Sequence, residues 1–352
     1  MYCIRGRSTD ALIKPAPASC ILGALCALAL QAAAAQGQHD LLHAPGRIEF
    51  DAGALYEGRF ADGTPFQMAL AYPEPDGLAE QARGLMQSAY WYPRRFTGQV
   101  APLTAQDGPP GMQVLAVLPD SGAAAQERFA IALGADRRDG KGNWTSSAGK
   151  ELTFTFKRSV RYRAVVLARP APVAQAAGED RQFVFSALFP VFGERALDAW
   201  VRDVAGHCRA DLECRNQVLV RWRSPGQLSL DASSWTYSHG AAHGNYRSGM
   251  RHYATADDAA VLTRFTAFVG ASAACRDKVS AALVAKLGAQ GLTWADQGAL
   301  DYLAEPKFIP TPAGIEFHWD PYQVGSYAQG APSVFLTRAE LGDCAGSLPR
   351  YD

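Results

Sequence analysis

Past its first thirty residues the sequence has no apolar run long enough to cross a bilayer, which takes about twenty residues, so no membrane span is expected once that segment is removed. Neither sign of charge is in excess: 34 basic side chains stand against 34 acidic ones. No basic stripe breaks that balance, which argues against nucleic acid as a partner. Cysteines at CxxC or HxxxC spacing are missing, so zinc is not expected. A G-x-S-x-G nucleophile elbow is missing too, and no internal repeat is visible. The sequence therefore names no catalytic residue, no metal and no cofactor, and it leans away from an enzyme.

What is present at the N-terminus reads as an export signal. Arg5, Arg7 and Lys14 precede an eleven-residue apolar run, Cys20 to Leu30, and small residues then lead to Ala33-Ala34-Ala35 before Gln36. Basic, apolar and small segments in that order predict a signal peptide over residues 1–35 and a periplasmic or secreted protein. Cleavage would leave a net charge of about −2. It would also remove Cys3, Cys20 and Cys26 and leave four cysteines, Cys208, Cys214, Cys275 and Cys344. An even number in an exported chain points to disulfides, with three possible pairings. The favoured pairs are Cys208–Cys214, closing a short polar loop, and Cys275–Cys344, tying a helix to the C-terminal tail.

The remaining chain, roughly 315 residues, exceeds one comfortable core and predicts two domains. Residues 36–46 read as a flexible leader. Residues 47–160 are nearly all strand. Leu55 to Tyr72 forms two alternating runs around Asp62-Gly63, a hairpin signature. Further strands are expected at Ala89–Phe96, Gln99–Ala105, Met112–Leu118, Arg128–Ala135 and Glu151–Arg158, with Asp139-Gly140-Lys141-Gly142 as a turn. That spacing predicts an antiparallel barrel or sandwich.

Residues 161–352 group helices and strands separately, an α+β pattern. A strand at Gln182–Phe192 leads into a helix at about Glu194–His207, with Leu197, Trp200, Val201 and Val204 on one stripe. Strands follow at Gln217–Trp222, Gln227–Leu230, Ser234–Tyr237 and near Gly249–Ala254. Helices are expected at Ala271–Leu287 and Thr293–Leu303, then strands at Lys307–Thr311, Gly314–Trp319 and Ser333–Thr337.

Two stretches carry a family likeness. In Trp235 to Tyr253 the residues Tyr237, Ser238, Gly240, Ala242, His243, Gly244 and Asn245 occur in order, with His239 and one extra residue in the turn. In Gly314 to Leu341 the series Pro321, Tyr322, Val324, Gly325, Tyr327, Ala328 and Gly330 occurs. Over about residues 160–352 the chain resembles the extracellular domain of RsiV-type, lysozyme-binding anti-sigma factors, also found at the C-terminus of some peptidoglycan deacetylases. The resemblance implies an α+β domain that binds a lysozyme or another peptidoglycan hydrolase, with peptidoglycan as a further partner. Lacking a sigma-binding segment and a retained membrane helix, the chain is not expected to be an anti-sigma factor itself.

The candidate binding residues are therefore Tyr237, His239, Gly240, His243, Gly244, Asn245, Tyr322, Gly325 and Tyr327. His239 and His243 would share a face only on a helix, and the surrounding glycines indicate a strand and turn, so their spacing makes no metal site. Tyr322 and Tyr327 offer the large amphipathic surface common at interfaces, or else cover the core. The alternative to a protein-binding module is a cell-wall carbohydrate-binding protein or hydrolase, for which Tyr90, Trp91 and Tyr92 would stack a sugar.

Overall fold

The structure is a computed structural model. It describes residues 41–43, 46–78, 82–91, 101–117, 126–170, 182–209, 212–224, 226–238, 240–256, 259–292 and 306–349. The expected signal peptide, His239, Tyr92 and the expected helix at Thr293–Leu303 lie outside the described residues.

Eight strands follow one another as antiparallel neighbours: β1 (Arg47–Phe60), β2 (Pro65–Ala71), β3 (Ser88–Trp91), β4 (Ala101–Gln106), β5 (Gln113–Val117), β6 (Glu127–Leu133), β7 (Asp139–Ser146) and β8 (Glu151–Pro170). β1 also pairs with β8, so the sheet closes into the expected antiparallel barrel. Closure removes the exposed edges that an open sheet must otherwise protect. Alternation sends Tyr56, Phe60, Phe66, Met68, Phe129, Phe154 and Phe156 into one buried cluster. The rings meet mostly edge to face, as for Tyr56 and Phe156 with centroids 5.0 Å apart. Polar atoms among them are paired. Tyr90 donates its hydroxyl to Glu127, and the Trp144 indole donates to the same carboxylate at 2.9 Å. Tyr90 and Trp91 are both buried, so neither is free to stack a sugar.

The segment Asp139-Gly140-Lys141-Gly142 is the start of β7 rather than a turn. A Cβ on Gly140 or Gly142 would collide with the rings of Phe156 and Phe154, so these glycines make room for the aromatic interior. The reversal instead falls at Gly134 to Arg138, where Arg137 takes a φ of 54°.

β8 is the joint of the molecule. Its first half pairs with β7, its second half, Arg161 to Pro170, pairs with β9 (Gln182–Val191), and β1 lines its other edge. Residue 160 thus falls inside a single continuous strand. From β9 the chain crosses through helix α1 (Arg195–Gly206) to β10 (Glu213–Ser224), which runs parallel to β9. β11 (Gln227–Tyr237), β12 (Asn245–Ala256) and β13 (Ala259–Leu262) then extend the sheet in antiparallel order. β11 is one strand where the sequence indicated two. Leu197, Val201 and Ala205 form the buried stripe of α1 against this sheet. Asn216 fastens its end, donating to the carbonyls of Ala205 and His207 at 2.8 and 2.9 Å. Leu41 and Leu42, within the stretch read as a leader, form a 3-10 turn and bury their side chains in this core.

The opposite face of β10–β12 is covered by a second, three-stranded sheet of β14 (Lys307–Thr311), β15 (Gly314–His318) and β16 (Ser333–Thr337). Helix α2 (Ala273–Ala289) packs Val279, Leu283 and Leu287 on that sheet, and the short α3 (Arg338–Leu341) follows β16. Ser272 caps α2 by accepting from the Cys275 N–H at 3.2 Å. Both expected cysteine pairs lie at bonding geometry, with Cα atoms 6.2 Å apart for Cys208–Cys214 and 5.4 Å for Cys275–Cys344. The disulfides suit an extracellular protein, and among the described residues no helix is long and apolar enough to cross a membrane.

Candidate functional site

The two stretches singled out in the sequence, some eighty residues apart, meet at one end of the β11–β12 hairpin. Trp235 and Tyr237 close β11 with their rings parallel, 7° apart in plane and 6.1 Å between centroids. The chain then turns through Gly240, at a φ of 82°, which suits glycine. Gly244 has a different task. A Cβ there would overlap the Trp235 indole, so glycine lets the ring lie directly on the backbone. Asn245 is exposed and opens β12 opposite Thr236.

The loop between β15 and β16 supplies the other side. Asp320 is anchored by the backbone and hydroxyl of Ser248, each at 2.9 Å, and by the ammonium of Lys307. Its backbone N–H donates to the Gln323 side chain at 2.6 Å. Val324 is fully buried, while a Cβ on Gly325 would overlap Gln329 and Leu292. Ser326 and Gln329 form a reciprocal capping box around Tyr327. Tyr322, between these anchors, has a φ of 71° and is 55% exposed. A non-glycine residue held at positive φ by its surroundings often marks a functional position.

His243 joins the halves. Its ring stacks on Tyr327 with centroids 3.8 Å apart and planes 18° apart. Its Nδ1 lies 2.9 Å from the Gly244 carbonyl, and its Nε2 lies 3.2 Å from the Tyr322 hydroxyl. In the tautomer protonated on Nδ1 the ring donates to the carbonyl, and Nε2 meets the Tyr322 hydroxyl. The Tyr327 hydroxyl donates to the same Gly244 carbonyl at 2.7 Å. His243, Gly244, Tyr322 and Tyr327 therefore make one cluster, with Trp235 and Tyr237 beside it. Trp235 was not among the candidates, although Gly244 at a strand start signalled a large neighbour.

His252 and His318 sit elsewhere. His252 is buried, with Nδ1 3.0 Å from the Ser229 hydroxyl and its ring 4.2 Å from that of Phe308. Burial lowers its pKa to about 3, against a backbone contact from Phe308 that raises it. His318 pairs with Glu316 on β15 at 3.6 Å. Among the described residues no three His, Cys, Asp or Glu side chains gather to hold a metal.

Further along β10 and β11 lies a buried ion pair that sequence reasoning did not find. Arg221 donates through Nε and Nη2 to one oxygen of Asp231, at 3.0 and 2.8 Å. Burial works against the Arg221 charge, but the Asp231 carboxylate outweighs it and raises the pKa. Burial, and then Asp231, raises the Tyr246 phenol as well. These residues alternate with the core positions of their strands, where a buried pair looks no different from an exposed one in sequence.

No curated protein matches this chain. Among solved structures, a DUF3298 family protein from Pseudomonas aeruginosa aligns at 18% identity over 54% of this chain and 97% of its own, with a TM-score of 0.36. A DUF3298 family member from Bacteroides fragilis aligns at 13% identity over 54% and 95%, with a TM-score of 0.39. The sequence of residues 270–339 matches the family model "Protein of unknown function (DUF3298)". That segment runs from α2 to the start of α3 and holds Tyr322, Gly325 and Tyr327, while His243 and Gly244 reach the cluster from outside it.

Proposed function

We propose that the protein is a secreted, periplasmic binding module that grips a protein partner through the cluster around His243, Tyr322 and Tyr327. The observation that carries this reading is the exposed Tyr322, 55% accessible, on a loop fixed by Asp320, Ser326 and the Tyr327–Gly244 bond. A large amphipathic ring on a rigid loop loses little freedom on binding, which is the property of an interface anchor. The resemblance to RsiV-type domains directs the choice of partner to a lysozyme-like or other peptidoglycan-cleaving enzyme, with loops occluding its cleft. The test is titration of the purified protein against c-type, g-type and i-type lysozymes, with lysis followed in the same samples. Saturable binding with loss of lysis is expected, weakened tenfold or more by Tyr322→Ala at unchanged melting temperature. Absence of binding to all three would remove the partner assignment.

A carbohydrate-binding reading has one observation in its favour, the parallel Trp235 and Tyr237 rings, which form a flat platform of the kind sugars stack on. Binding of soluble peptidoglycan fragments that is lost in Trp235→Ala but kept in Tyr322→Ala would favour it over the protein partner.

A further inference from the structure

A second hollow lies far along the chain from these residues, on the outer wall of the barrel. Its volume is about 1010 Å³, at the upper end of what small-molecule sites occupy. The wall strands β6, β7, β8, β1 and β2 make its floor, and Trp222, Arg223 and Ser224 at the tip of the β10–β11 hairpin close one side. A smaller hollow of about 580 Å³ adjoins it, and Arg59, Ala132, Lys141 and Thr155 line both.

The strand register explains this arrangement. Directly opposed residues on neighbouring strands point to the same face. Ala132 faces Lys141, Lys141 faces Thr155, Thr155 faces Arg59, and Arg59 faces Pro65, giving one row across the wall. In that row two cations flank a hydroxyl. The next row alternates in sign, with Lys157 between Asp139 and Glu57. With Arg223, the larger hollow holds four cations against two carboxylates. Glu57 is engaged by Arg223 at 3.8 Å. Lys141 and Lys157 have no ion-pair partner within 4 Å among the described residues. Pro65, Ala132 and Leu133 and the stems of the long basic side chains supply apolar surface around the charges. Gln67, 7% exposed, also lines the hollow, and its carboxamide oxygen has no hydrogen-bond partner.

We propose that this outer-wall hollow binds an amphipathic anion, with its phosphate or carboxylate head held by Lys141, Thr155 and Arg59. The apolar body lies along Pro65 toward the hairpin tip. Two cations flanking a hydroxyl in one cross-strand row supply the charge and the donor that a compact anion takes, with the Arg59 guanidinium also held by the Gly63 carbonyl at 3.1 Å, and the surrounding apolar wall disfavours a fully hydrated one. The site is separate from the cluster around His243 and does not depend on its function.

The experiment is calorimetric titration of the purified protein with dodecyl phosphate, and with neutral dodecyl maltoside, each below its micelle concentration. Saturable binding of dodecyl phosphate alone is expected, weakened at least tenfold in Lys141→Glu and in Arg59→Glu. Both positions are exposed, so thermal melts should show the variants folded, and Tyr322→Ala should bind as the parent does. Phosphatidylglycerol vesicles separate the sources: co-sedimentation that both variants abolish assigns the head group to a membrane lipid, and its absence assigns a soluble amphiphile. Equal binding of the maltoside, unchanged affinity in both variants, or no saturable binding of dodecyl phosphate would overturn the proposal.

Discussion

The barrel and the C-terminal half solve the same problem in opposite ways. The barrel pairs β1 with β8 and so leaves its eight strands without a free edge, then fills the interior with aromatic rings. The C-terminal half is an open sheet with a smaller sheet laid across it, and closure does nothing for it. It is cross-tied instead, by both disulfides, by Arg221–Asp231, and by Asp320 reaching Ser248 and Lys307. Loops at the end of an open, braced sheet can be displayed, whereas loops of a sealed barrel mostly close it. The contrast teaches why the candidate cluster is in the braced half. The barrel's own contribution is confined to its outer wall.

The largest effect should come from the long cross-tie. The Cys275–Cys344 bond spans 69 residues and Cys208–Cys214 spans 6. Loop entropy then assigns about 4 kcal/mol to the first and about 2 kcal/mol to the second. Urea unfolding of the two Cys→Ser double variants measures both. Hydrogen exchange of the first should show β14–β16 losing protection while β1–β7 keep theirs. Equal loss in the barrel would abolish the contrast drawn here.

Next in size is the buried ion pair. Asp231 is 5% exposed, and its second oxygen has no hydrogen-bond partner, so it depends on Arg221. Arg221→Ala should cost about 3 kcal/mol by leaving that carboxylate buried without its counter-charge. Replacing both residues by leucine should cost much less, because no buried charge is left behind. A double variant as damaged as the single one would show that shape, not charge, holds the sheets together.

The smallest of the three is a pH dependence. Burial pushes the His252 pKa down to about 3 in the folded protein, against 6.5 for an unperturbed histidine. Above pH 6.5 it is neutral in both states and costs nothing. Below 6.5 the unfolded chain takes up a proton that the folded chain refuses, so stability falls as pH drops, until the folded group itself titrates near 3. By pH 5 the loss is about 2 kcal/mol. Chemical denaturation at pH 7 and pH 5 should show this slope in the parent and a shallower one in His252→Gln. Identical slopes would place the acid sensitivity elsewhere.

Much of this was legible in the sequence, for local reasons. The β1–β2 hairpin announced itself through alternation around Asp62-Gly63, and α1 through its stripe of apolar residues. Of three possible cysteine pairings, the favoured one is the one found at bonding geometry. The misreadings also share a cause. Gly140 and Gly142 have the composition of a turn, yet they lie in β7 because Phe154 and Phe156, on the next strand, occupy the space a side chain would need. Gln227–Leu230 and Ser234–Tyr237 are one strand because β10 and β12 pair along its whole length. The candidate residues were half legible. Glycines and tyrosines at fixed offsets marked both stretches, but neither stretch contains the information that His243 stacks on Tyr327.

By itself, then, the sequence marked most of the strands and helices, favoured one of three pairings of its cysteines and singled out the two loops worth watching. These depend on turn chemistry, on side-chain period and on spacing, all of which act within a few residues or through a covalent bond. Only the tertiary structure decided that β8 would serve both the barrel and the extension, that Arg221 would face Asp231 under a second sheet, and that Lys141, Thr155 and Arg59 would stand in one row. Each of those is a register between distant strands. Register is set by which faces can be buried together, and no single stretch of chain holds that information.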